Sequence, residues 1–216
     1  KYGIRDHRGG GRSSGRETAC RVAAGAIAKK ILSKYDITVH AFTTQVGNIK
    51  AKTCNYDIIE QNAIRAADPL AATEMIQLIQ KYKEEGDSIG GIVECHINGC
   101  FPGLGEPLYD KLDAVLSHAL MSIGTIKGIA FGAGFDVATM SGYENNDKYI
   151  MTNGKVKSET NFSGGITGGL SNGENITLQL AVKPPSSITK EQKSVTKDGS
   201  ETTIQVHGRH DPCICP

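Results

Sequence analysis

A mixed α+β sandwich is the fold class this sequence predicts, on three observations. Three long segments carry apolar residues at helical spacing. Between them lie shorter runs rich in β-branched residues, including a clean alternation at Ile176, Leu178, Leu180 and Val182. These segments lack the strict strand–helix rhythm that a parallel sheet with helical crossovers requires.

Taken in order, the first helix is predicted over about residues 16–35. Val22, Ala23, Ala26, Ile27, Ile31 and Leu32 form its apolar stripe, and its alanines suit close packing. Ser14-Gly15-Arg16-Glu17 fits a capping box, with Ser14 at the N-cap and Glu17 reaching back. Residues 37–49 read as extended. Asp68-Pro69 opens a second helix whose stripe is Met75, Ile76, Ile79 and Tyr82, with Gly86 as its stop. A buried strand is expected over residues 91–97 and a third helix over about 109–121. Strands at 125–131 and 136–140 follow, then a polar loop over 142–161. The alternating strand at 176–182 must end at Pro184-Pro185, since neither proline can donate to a ladder. Another polar loop, 189–200, leads to a last strand at 202–206.

No linker rich in Pro, Gly or Ser divides the chain, so residues 1–216 are expected to form a single catalytic-core domain. The chain begins at Lys1 and stops at Cys215-Pro216 inside an apolar-looking stretch, and both ends are expected to be cuts through a longer protein. At 38% hydrophobic and 22% charged residues the composition is that of a globular protein and not a disordered one. No apolar run reaches the ~18 residues of a membrane helix, so no membrane partner is expected. Lys and Arg number 24 against 23 Asp and Glu, which gives no sign of a nucleic-acid partner. Within residues 1–21, however, Lys1, Arg5, Arg8, Arg12, Arg16 and Arg21 outnumber Asp6 and Glu17, and this charge surrounds a glycine run. Six cysteines without a CxxC pair suit a reducing compartment, and the cytoplasm is expected; Cys20 and Cys95 read as buried thiols.

Four motifs are candidates for chemistry. Arg12-Ser13-Ser14 stands at a helix start, where unpaired N–H groups and the helix dipole favour an anion and arginine matches phosphate or carboxylate geometry. A capped helix with solvated arginines has the same composition; an RGG-like RNA-binding tract would need more repeats. The run Gly164-Gly165-Ile166-Thr167-Gly168-Gly169-Leu170-Ser171-Asn172-Gly173 implies tight turns and close backbone approach to a ligand, or plain turns, and fits neither a Walker loop nor GxGxxG. Lys183-Pro184-Pro185-Ser186-Ser187 offers a cation and two hydroxyls on a stiff backbone. His207-Gly208-Arg209-His210-Asp211-Pro212-Cys213-Ile214-Cys215 joins an anion clamp, an imidazole and an acid. Its pairs are too tightly spaced for an ordinary structural zinc site, and no metal is expected.

The sequence resembles the chorismate synthase family in segments that run in order along the chain. They are KYGIRDHRGGGRSSGRETACRVAAGAIAKK (1–30), GDSIGGIVEC (86–95), GLGEPLYDKLDA (103–114), MSIGTIKG (121–128), GGITGGLSNG (164–173), KPPSSIT (183–189) and GRHDPC (208–213). The resemblance implies a partial β-α-β sandwich, a homotetramer and reduced FMN as cofactor. It implies a 1,4-anti elimination of phosphate from 5-enolpyruvylshikimate 3-phosphate to give chorismate, without net redox change. By motif matching, Arg12, Ser13, Ser14, Gly124, Thr125, Gly168, Lys183, Pro184, Pro185, Ser186, Ser187 and Arg209 are expected to contact FMN. Ser14, Arg16 and Arg209 are expected to contact substrate anions. Asp211 is expected to handle the proton at the flavin N5, with Ser14 also catalytic. Departures from the family pattern are Gly15 for Ala, Pro185 for Thr and Gly124 for a residue with a side chain. The family's two histidines fall in segments before Lys1. Flavin reduction by the protein itself with NADP, or by a separate flavin reductase, stays open. So does the alternative of a non-catalytic FMN- or anion-binding fragment.

Overall fold

The computed structural model describes residues 3–4, 8–208 and 210–216, with the backbone alone for Arg12. Two 3-10 turns, Gly11–Ser13 and Gly15–Glu17, precede α1 (Thr18–Leu32); β1 (Thr38–Val46) and β2 (Ile49–Lys50) follow. A 3-10 segment, Tyr56–Gln61, leads to α2 (Pro69–Glu84), β3 (Gly91–Asn98), α3 (Leu112–Met121) and β4 (Ile126–Phe131). Then come a 3-10 segment at Gly134–Thr139, α4 (Gly142–Asn145), β5 (Tyr149–Thr152) and β6 (Lys155–Ser158). The remaining strands are β7 (Ile166–Thr167), β8 (Leu170–Ser171), β9 (Ile176–Val182), β10 (Gln192–Val195) and β11 (Glu201–Ile204).

The main sheet is antiparallel, in the order β2-β1-β3-β9-β4, so the alternating strand β9 lies inside it between β3 and β4. Its alternation does what period two dictates: Ile176, Leu178, Leu180 and Val182 are buried, and Gln179 and Ala181 are exposed. Met75, Leu78, Ile79 and Tyr82 of α2 and Leu116 and Leu120 of α3 pack with Leu178, Leu180, Val182 and Val93 in one cluster. The opposite face is more polar. There Tyr56 Oη lies 2.5 Å from His96 Nδ1, and His96 Nε2 lies 2.6 Å from Glu94 Oε1. The α+β class is therefore observed, with β3 half-buried along its length.

Asp68 explains the start of α2. One carboxylate oxygen accepts from Leu70 N at 3.0 Å and Ala71 N at 3.1 Å, which caps the helix. The other accepts from Lys52 N at 2.8 Å and Thr53 N at 3.1 Å, fastening the irregular segment after β2 to the same point.

Several expectations are corrected. Ser14 caps only the 3-10 turn Gly15–Glu17, accepting from Arg16 N at 3.3 Å, and α1 itself starts at Thr18 without a side-chain cap; Glu17 completes no box, and its carboxylate accepts from Arg21 Nε at 2.9 Å instead. Most of the α1 stripe does not face a core, with Val22 72%, Ile27 65% and Ile31 55% exposed, while Leu32 at its end packs against the cluster of Ile37, Cys100, Ile166 and Ile176. Ile76 likewise lies off the packed face of α2, and Cys20, on α1, is exposed. Residues 136–139 belong to a 3-10 segment that Met140 terminates, and the expected strand over 136–140 is absent. The 142–161 stretch holds α4, with a true capping box from Ser141 to Glu144, and the β5–β6 hairpin. The 189–200 loop contains β10, which pairs with β11.

β3 must approach β1 and the C-terminal segment closely at its first residue. A Cβ on Gly91 would lie 2.1 Å from the Gln45 carbonyl oxygen and 2.9 Å from Cys215 Sγ. Gly91→Ala is expected to lower stability by about 2 kcal/mol, read as a fall in the urea midpoint at unchanged slope.

Candidate functional site

β4 and β9 begin and end side by side, and this brings two sequence motifs together. Immediately beyond the Ile126–Val182 pair, Lys183 N donates to Thr125 O at 3.0 Å. Gly124 and Thr125 therefore adjoin Lys183 and Pro184. A Cβ on Gly124 would meet nothing within 4 Å, so a ligand has open access to this backbone, and the missing side chain leaves room. Arg21 ties a third motif to the same corner: its Nη1 donates to Ser122 Oγ at 2.7 Å and its Nη2 to Ser122 O at 3.2 Å. The start of α1, with Ser13, Ser14 and Arg16, is thereby linked to the turn that carries Gly124 and Thr125.

Past Lys183, the turn at Pro184-Pro185 is held by Ser88 Oγ donating to Pro185 O at 2.6 Å. Ser186 and Ser187 follow as exposed hydroxyls. Ser187, His210 and Asp211 line one cavity of about 260 Å³ with Lys83, Asp87 and Thr189. The C-terminal segment is brought there by Ile89 N donating to Pro212 O at 2.8 Å. The opposite wall is fixed by Thr189 N and Lys190 N, which both donate to Gly86 O. Ser88 N donating to Asp87 Oδ1 and the Lys190 ammonium at 3.0 Å hold the Asp87 carboxyl below the usual range. Lys83, Asp87 and Thr189 were not singled out from sequence. The available signals were the matching segments GDSIGG for Asp87 and KPPSSIT for Thr189; Lys83 lies in neither.

Gly168 stands apart from this corner. Leu112 N donates to Gly169 O at 2.8 Å, so the β7–β8 turn lies at the first turn of α3, whereas Gly124 lies beyond its last. The ten-residue helix puts about 15 Å between them. Most of the glycine run serves packing: a Cβ on Gly164 would lie 2.3 Å from Gly132 N, and one on Gly165 2.6 Å from Asn175 O. Gly168, by contrast, has nothing within 4 Å of its Cβ position. Arg209 and the side chain of Arg12 lie outside the described residues.

The fold is thus an α+β antiparallel sheet backed by helices, with several of the motif-bearing segments meeting at one end, beside a cavity lined by Lys83, Asp87, Ser187, Thr189, His210 and Asp211. The chorismate synthase family model matches residues 1–216, and the chain belongs to that family. It is 50% identical to the chorismate synthase of Phocaeicola vulgatus over 220 residues, covering all of this chain and 62% of that protein. It is 47% identical to that of Chloroflexus aurantiacus over 217 residues, covering all of this chain and 60% of the relative. A crystal structure of chorismate synthase superposes with a TM-score of 0.74 at 33% identity, covering 80% of this chain and 57% of that one. The chain thus spans about three fifths of the length of these relatives.

Proposed function

We propose that the full-length polypeptide is a chorismate synthase, eliminating phosphate from 5-enolpyruvylshikimate 3-phosphate with reduced FMN and without net redox change. The observation that carries this reading is the meeting of Ser187, His210 and Asp211 on one cavity, from motifs about 25 residues apart in a chain that matches the family throughout. The residues suit a flavin phosphate and a flat ring system. Gly124 leaves backbone open to close approach, Ser13 and Ser14 lie at the junction of the two 3-10 turns that lead into α1, and Lys183 adds a cation.

In this reading Arg12, Ser13, Ser14, Gly124, Thr125, Gly168, Lys183, Pro184, Pro185, Ser186, Ser187 and Arg209 hold the cofactor. Ser14, Arg16 and Arg209 bind the substrate's phosphate and carboxylates. When bound, reduced FMN would supply the transient electron that such an elimination needs, returned without net redox change. The arginines and Lys183 stabilise the charge that develops on the departing phosphate, where preorganised cations act most strongly. Asp211 accepts or holds the proton at the flavin N5. The homotetramer, the cytoplasmic location and the source of reducing equivalents, whether NADP-linked or a separate flavin reductase, belong to the same proposal.

Spectral titration of the full-length protein with oxidised FMN, with and without substrate, tests it. Arg12→Ala is expected to weaken FMN binding at least tenfold, about 1.4 kcal/mol. Unchanged affinity would leave that segment only a helix-capping role, and FMN binding without turnover would make the protein a binding module.

A further inference from the structure

The turn between α2 and β3, residues 86–89, reaches both halves of the candidate site, and the proposed mechanism gives it no role. Pro184 and Pro185 lack N–H groups, so the turn they form can be held from outside only through its carbonyls. Ser88 Oγ takes one of these, donating to Pro185 O at 2.6 Å from a half-buried position. Among the described residues, the only other hydrogen bond to residues 184–187 comes from the adjoining Lys183 ammonium. The same turn holds the far end of the loop. Gly86 O accepts from Thr189 N at 3.0 Å and Lys190 N at 3.1 Å, and Asp87 accepts from the Lys190 ammonium. Asp87 also accepts from Ser88 N at 2.8 Å, which fixes the backbone that carries the hydroxyl. One residue on, Ile89 N donates to Pro212 O at 2.8 Å and so places Asp211. Gly90 then passes close to Pro184: a Cβ there would lie 3.0 Å from Pro184 N and 2.4 Å from Val182 O.

We propose that Ser88 is a positioning residue for the flavin site, holding the Pro185 carbonyl so that Ser186 and Ser187 keep their binding arrangement. Proline fixes φ at both positions of the turn but leaves ψ free, so sequence alone does not set how the chain leaves Pro185. The peptide plane joining Pro185 to Ser186 is rigid, and a bond to its carbonyl sets that missing angle. Ser186 follows directly, and Ser187 lines the cavity with His210 and Asp211. Without the Ser88 hydroxyl the loop spends less time in the competent arrangement, and apparent cofactor affinity falls by that fraction. Asp211 hangs from a backbone bond of Ile89, which the Ser88 side chain does not make, so its proton step is spared. The consequence for FMN rests on the flavin-site reading above; the clamp on the loop does not.

The test compares wild type, Ser88→Ala and Ser88→Thr as full-length proteins. In Ser88→Ala without FMN, amide exchange in the peptide covering residues 186–190 is expected to quicken about fivefold. Its Kd for oxidised FMN is expected to rise about tenfold, ~1.4 kcal/mol, in spectral titration. Turnover at saturating FMN should stay within about threefold of wild type, a split between binding and rate. Ser88→Thr keeps the hydroxyl and should restore both exchange and affinity. Unchanged FMN affinity in Ser88→Ala would overturn the positioning role. Equal losses in Ser88→Thr and Ser88→Ala would show that shape and not the hydroxyl matters, and would overturn it too. Wild type that binds no FMN, with the exchange contrast intact, would count against the flavin reading and leave Ser88 a loop clamp only.

Discussion

Asp68→Ala is expected to lower the stability of the chain by about 3–4 kcal/mol, seen as a large fall in the urea midpoint. The carboxylate accepts four backbone N–H groups, from Lys52, Thr53, Leu70 and Ala71, and its residue is 5% exposed. Alanine removes a helix cap and leaves the Lys52 and Thr53 donors without an acceptor. A lost cap costs about 1 kcal/mol, and each part-buried hydrogen bond to the charged carboxylate, from Lys52 and Thr53, about 1–1.5. The backbone donors hold the Asp68 pKa at about 2, against an ordinary value of 3.8. A folded-state pKa below the unfolded one stabilises fully above pH 4 and is lost as pH falls through about 2. Wild type should therefore lose about 2 kcal/mol more than Asp68→Asn between pH 4 and pH 2. Parallel acid titrations of the two proteins, followed by circular dichroism, check the difference; coincident curves would remove Asp68 from the acid transition.

Asp211→Asn is expected to slow turnover of the full-length enzyme about 10²-fold or more, within the usual range for a positioned acid or base. An aspartate carboxylate accepts a proton and an asparagine amide does not, while shape and the neighbouring Pro212–Ile89 anchor are preserved. FMN and substrate affinities should change much less than the rate. Stopped-flow turnover and flavin titration on the same preparation separate the roles. Near-normal turnover refutes the proton-handling assignment, and lost FMN binding together with slow turnover makes Asp211 a structural residue. The competing view has weight, since an Asp before Pro often only closes a turn. Its place beside His210 in the Ser187 cavity favours chemistry.

What was legible in the sequence is what local physics dictates. Asp68-Pro69 announced a helix start because the fixed proline angle acts within one turn, while the fourfold acceptor role of Asp68 emerged only from the structure. β9 was legible because one buried face imposes period two. The hairpins within the polar stretches carried a signal that composition masked. Asn153 and Gly154 have φ of 51° and 74°, as a tight two-residue hairpin turn requires, and the longer loop between β10 and β11 turns at Gly199, with φ of 86°. The exposed stripe of α1 was not legible, since periodicity states that a helix has an apolar face and not what meets it. Residues 136–140 failed for a related reason. Two left-handed glycines, Gly132 and Gly134, break the extended path just ahead of them. The candidate site was legible motif by motif through family resemblance. The Arg21–Ser122 tie and the separation of Gly168 depend on contacts between distant segments, which no local pattern encodes.

The position of β9 has a consequence for biosynthesis. β4 pairs with β9, and β3 has β9 as its second neighbour, so one edge of β3 and the whole of β4 wait for a strand that ends at Val182. At about 5–20 residues per second, translation leaves those edges without their partner for roughly 4–17 s after β3 has been made. Unpaired edges of that kind template intermolecular pairing. The nascent chain is therefore most exposed to aggregation and to chaperone capture in this interval, and a ribosome pausing between Asn98 and Ile176 would lengthen it.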